Sequence, residues 1–144
     1  MRIFHTTKFI LFFFIILLLQ SCVSIPTSGR RLEGKEFREN LPGLWVGNWY
    51  LAGRSGKKSI NIIKIDGNRV GLTGYSSGGD HWAGTDDVNG RIENSALLLT
   101  WPGAGLNGAI DRFTMIEDDS SNLILDGNWR SPKLFGTSRL RKIQ

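Results

Sequence analysis

Residues 58–75 read Lys58-Ser59-Ile60-Asn61-Ile62-Ile63-Lys64-Ile65-Asp66-Gly67-Asn68-Arg69-Val70-Gly71-Leu72-Thr73-Gly74-Tyr75, two apolar runs separated by Asp-Gly-Asn. The second run alternates strictly, with Val70, Leu72 and Gly74 on one face, which is the period of a strand covered on one side. The first places Ile60 and Ile62 on one face, then Ile63 and Ile65 on the other. That change of phase predicts a β-bulge or a strand covered on both sides. Gly and Asn tolerate positive φ, so Asp66-Gly67-Asn68 reads as a hairpin turn. The stretch is a β-hairpin.

Working outward, strands are expected over 43–52, 87–93, 96–101, 109–117, 123–129 and 136–142, with a Gly-rich loop from Ser76 to about Gly84. No stretch keeps a helical apolar stripe for three turns. Short antiparallel segments, several with an internal glycine (Gly47, Gly71, Gly74, Gly127), predict an all-β fold. The expected architecture is a small up-and-down barrel of about eight strands, with a two-sheet β-sandwich as the alternative. Glycine permits the tight coiling that closure demands.

The chain divides into three parts. Residues 1–21 carry Arg2 and Lys8 ahead of an unbroken apolar run from Phe9 to Leu19. A membrane span needs about 20 apolar residues, so this shorter run reads as a secretory signal. Residues 22–40 hold only Leu32 and Phe37 as large apolar side chains after the first few positions, amid dense charge of both signs. They read as a flexible linker, with a short helix over 31–39 as a local option. Residues 41–144 form the domain.

The chain contains a single Cys, at Cys22, and His81 is the one His beyond the signal. Any site in the domain that needs a Cys pair, two His, or Cys with His is therefore excluded. No cofactor or metal is expected. The acids Asp80, Asp86, Asp87, Asp118 and Asp119 read as turn residues, because the calcium-loop pattern is not met. The formal charge is +5, and two of those charges, Arg2 and Lys8, belong to the signal. A nucleic-acid partner is not expected.

Leu19-Gln20-Ser21-Cys22 resembles the lipobox of bacterial lipoproteins. The resemblance implies that the Cys22 thiol is lipidated and that cleavage frees its amine for acylation, making the membrane a partner. Val23 follows where inner-membrane retention would want Asp, so it implies outer-membrane sorting in the cell envelope.

In the domain, Leu41-Pro42-Gly43-Leu44-Trp45 followed by Leu72-Thr73-Gly74-Tyr75 resembles the opening strands of avidin-like barrels, and Gly47-Asn48-Trp49 resembles the G-x-W start of lipocalins. The avidin likeness implies a ligand-facing role for Tyr75. The polar positions that would complete a biotin site are Gly47 and Leu51, so biotin binding is not implied. The lipocalin likeness implies that Arg139 or Arg141 packs over the first Trp.

Four residues are candidate ligand contacts at a barrel mouth: Tyr75, His81, Trp82 and Trp101. Exposed aromatic faces suit apolar or saccharide-like ligands. His81 beside Asp80 has the composition of a general base, but no nucleophile elbow exists in the sequence, so an enzyme is not expected and a hydrolase is the weakest reading. The leading expectation is a lipid-anchored binding module for a small apolar or saccharide-like ligand. The second is a protein-interaction or inhibitor lipoprotein that docks on an envelope complex. An empty barrel interior favours the first, and a filled interior with an exposed apolar patch favours the second.

Overall fold

The computed structural model describes residues 28–77, 88–101 and 109–144. In chain order the elements are β1 (Arg30–Leu32), α1 (Gly34–Asn40), β2 (Gly43–Leu51), β3 (Arg54–Asp66), β4 (Arg69–Ser76), β5 (Asn89–Glu93), β6 (Ala96–Trp101), β7 (Ala109–Glu117), β8 (Leu123–Arg130) and β9 (Phe135–Lys142). Strands β2 to β9 pair antiparallel in sequence order, and β9 returns to β2, with Trp45 opposite Lys142 and Tyr50 opposite Thr137. The sheet is a closed eight-stranded up-and-down barrel with one extra strand.

The phase change in the first hairpin is a bulge. Pairing of β3 with β4 shifts register between Ile62 and Lys64 and leaves Ile63 exposed. Neighbouring strands approach closely at glycines. A Cβ on Gly47 would collide with the Arg139 carbonyl of β9, so only glycine lets β2 and β9 approach this closely. Among the described residues the β4–β5 seam is short, with Arg69 opposite Arg91, Val70 opposite Gly90 and the Ile92 N–H donating to the Asn68 carbonyl at 2.8 Å.

One end of the barrel is sealed by the segment expected to be a linker. From Arg30 onward this segment is folded. β1 adds to β7 beyond the end of β6, pairing Leu32 with Met115. Gly34, at φ 55, swings the chain into α1. Leu32, Phe37 and Leu41 are all buried in one cluster with Ile62, Val70, Ile92, Met115 and Leu125. Two apolar residues looked too few to build a core. Here they complete one that the barrel already provides, while the charges of the segment lie outside.

Those outer charges are paired. Arg30 makes a two-pronged contact with Glu36 at 2.7 and 2.6 Å and reaches Glu117 at 2.6 Å. Glu36 is held below the usual carboxylate range by these hydrogen bonds. Arg38 donates to the Gly67 carbonyl and to Asn68 Oδ1, tying α1 to the first hairpin turn. Among the described residues no helix is long and apolar enough to cross a membrane.

Candidate functional site

Period-two alternation turns a Lys and an Asp into the barrel. Lys58 shares the inward face of β3 with Ile60 and Ile62, and Asp111 shares that of β7 with Ala109, Phe113 and Met115. Lys58 Nζ donates to both Asp111 oxygens, at 2.8 and 2.7 Å, and to Ser138 Oγ at 3.1 Å. Ser138 Oγ donates to Asp111 Oδ1 at 3.2 Å, and Trp101 Nε1 donates to Oδ2 at 2.6 Å. The ammonium also lies 5.3 Å from the Trp101 ring centroid and 6.0 Å from that of Phe113.

This knot is sealed. Both charged side chains are 1% exposed. Loss of hydration pulls the Lys58 amine below its usual range, while attraction and hydrogen bonding from Asp111 oppose the shift. Such a pair survives burial because its carboxylate accepts from several donors at once. Nearby, Trp49 and Trp129 meet edge to face at 6.1 Å, and Trp49 Nε1 donates to the Ser77 carbonyl at 3.0 Å. Ser76 Oγ is buried with no hydrogen-bond partner among the described residues. Trp45, Ile60, Leu97, Leu99 and Phe113 fill the interior further down.

The expected mouth is not assembled from its described members. Trp101 is 3% exposed inside the barrel, whereas Tyr75 is 48% exposed on the outer wall. Alternation on β4 requires this, because Val70, Leu72, Gly74 and Ser76 all face inward or are partly covered and Tyr75 falls between them. Trp101 instead packs over Gly74, where an added Cβ would stand 2.9 Å from the ring. His81 and Trp82 lie outside the described residues, as does Cys22. The cation over the first Trp is neither Arg139 nor Arg141, which project outward. It is Lys142, whose Nζ lies 5.7 Å from the Trp45 ring centroid and donates to the Asn40 carbonyl at 2.6 Å.

Among the described residues, an exposed apolar groove lies on the outer wall, at the end of the barrel opposite α1. Tyr50, Leu51, Leu98, Ile110, Arg112, Arg130 and Phe135 line a groove of about 750 Å³. Phe135 is 82% exposed and Tyr50 46%. Because β2 pairs with β9, and β8 with both β7 and β9, residues distant in sequence converge here. An apolar surface left open beside hydrogen-bonding arginines has the composition of a recognition surface. A smaller hollow of about 450 Å³ between α1 and the turns at Asn68 and Ser95 is crossed by the Arg38 hydrogen bonds. Among the described residues no cluster of three His, Cys, Asp or Glu could hold a metal ion.

The sequence signal for the knot was present, since Lys58 and Asp111 each interrupt the apolar face of a strand. The groove carried a weaker signal, because it joins residues from five strands whose adjacency depends on barrel closure. No family model, curated protein or solved structure matches the chain.

Proposed function

We propose that this chain is a lipid-anchored, non-enzymatic protein of the cell envelope, held through Cys22, whose barrel binds a protein partner with its outer wall. The observation that carries the reading is the contrast between a filled interior and an open groove beside Phe135. A ligand inside the barrel would need the space that Trp45, Phe113, Trp101 and the Lys58–Asp111 pair occupy. The groove, by contrast, presents aromatic rings and arginines, the residue types enriched at interface hot spots.

The test is site-specific photo-crosslinking in cells, with the photoreactive residue at Thr137 in the groove or at Thr73 on β4. A discrete protein adduct from Thr137 and none from Thr73 is the expected result. If both positions stay unlinked while native mass spectrometry of the Cys22→Ser chain finds a bound small molecule, the binding-cavity reading replaces this one.

A further inference from the structure

We infer that the segment seated in the groove is acidic, a stretch of a partner protein in which a large apolar side chain is flanked by carboxylates. This rests on the interaction reading above and adds the chemistry of the partner.

The sequence holds no Asp or Glu between Glu39 and Asp66, and none after Asp126. The β2–β3 and β8–β9 turns are flanked by exposed cations, Arg54, Lys57, Arg130, Lys133 and Arg139, with one acid, Asp126, facing Arg139 across β8 and β9. Pairing of β2 with β9 sets these hairpins side by side. Arg112 on β7 adds a further cation to the lining.

At the α1 end some cations are ion-paired among the described residues, while Arg38, Lys64, Arg69 and Lys142 are not. Arg30, Arg31, Lys35, Arg91 and Arg141 each have a carboxylate within 4.0 Å. Among the described residues, no such ion pair joins a carboxylate to any of the six cations around the groove. Asp126 lies on the same wall, opposite Arg139 and two residues along β8 from Asn128, and does not line the groove.

Covering arginines with a purely apolar partner would strip their water without replacement. A guanidinium fork matches a carboxylate with two hydrogen bonds, and a partly desolvated surface strengthens them. The shape of the site selects a protein over a bilayer, because a hollow beside a protruding Phe135 accepts a projecting side chain rather than a flat surface. The point of chain entry agrees. Arg30 pairs with Glu117, while the groove touches Ile110 at the other end of β7. At about 3.3 Å per residue the two lie roughly 23 Å apart along the strand, so the chain enters the barrel at the end away from the groove.

The experiment selects binders for the Cys22→Ser chain from a displayed library of random peptides, then measures their affinity for the same chain carrying Arg130→Glu, Arg130→Ala, Phe135→Ser or Lys64→Glu. Folding of each variant is checked by its denaturation midpoint. The expected peptides carry Asp or Glu on both sides of an aromatic or aliphatic residue. Their affinity falls about tenfold or more with either Arg130 variant and with Phe135→Ser, weakens as salt is raised, and is unchanged by Lys64→Glu at the far end. Peptides that depend on Phe135 but lack carboxylates would overturn the acidic partner and leave the interaction reading standing. Peptides indifferent to Phe135 and Arg130, or Phe135-dependent flotation of the chain with phosphatidylglycerol–phosphatidylethanolamine vesicles, would overturn both.

Discussion

The two ends of this barrel solve opposite problems. At the α1 end, Leu32, Phe37 and Leu41 close the interior with apolar side chains, and the charges that carried them there neutralise one another on the surface. At the far end the interior holds an ammonium and a carboxylate, and the outer wall leaves its arginines without carboxylates among the described residues. Sealing and the proposed recognition thus fall on different residues. An apolar plug gains stability from burial alone, with no geometric demand beyond fit. A buried ion pair demands geometry, because each partner is costly without the other.

The sharpest way to break the comparison is Asp111→Leu. It strands the Lys58 ammonium beside Trp101 and Phe113, and the expected loss is ~3–5 kcal/mol in urea denaturation. Adding Lys58→Met should restore part of that loss, since it removes the stranded charge while the Trp101 and Ser138 donors to Asp111 stay without their acceptor. If the double variant stays as unstable as the single one, the knot contributes more than mutual neutralisation.

Next in size, Phe37→Ala empties the α1 plug at a position with no solvent exposure. A loss of about 3 kcal/mol is expected, with amide exchange accelerated around Met115 and Leu125 before it rises at Lys58. Uniform acceleration along all strands would mean that the two ends do not unfold separately.

The smallest effect is expected at Asp118, in the β7–β8 turn. Its carboxylate accepts from the Asn122 and Ser120 amides at 2.8 and 3.0 Å and from the Asn122 side chain, which holds its pKa below the usual aspartate range. The hydrogen bonds to the charged form are present above the ordinary aspartate value, near 3.8, and are lost as pH falls through the lowered folded value. Asp118→Asn should flatten that acid limb of a stability–pH curve and change little at neutral pH. An unchanged acid limb would show that Asp118 does not contribute to it.

Much of the fold was legible because alternation is local. The phase slip at Ile62-Ile63 predicted the bulge, and strand count and order followed from turn spacing. Within the segment read as a linker, the short helix expected over 31–39 is present as Gly34–Asn40. From Arg30 onward, however, the segment is folded rather than flexible, and the misreading comes from weighing its apolar content alone. Leu32 and Phe37 become core only when a barrel end stands ready to receive them. The site was less legible. Alternation already set Tyr75 opposite in phase to Gly74, so the outward position was readable from β4 itself, and the aromatic likeness of Leu72-Thr73-Gly74-Tyr75 outweighed it. The groove could not be read locally, because Tyr50, Arg112 and Phe135 meet only through pairings that close the ring.

Closure through β9 also sets an order of events in biogenesis. Until residues 135–142 have been delivered, β2 and β8 each expose an unbonded edge, and Gly47 has no carbonyl to nestle against. A chain delivered from its amino end therefore remains an incomplete sheet until its last strand arrives. Closure waits for that strand, and until it pairs β2 and β8 each present an open edge to any other chain.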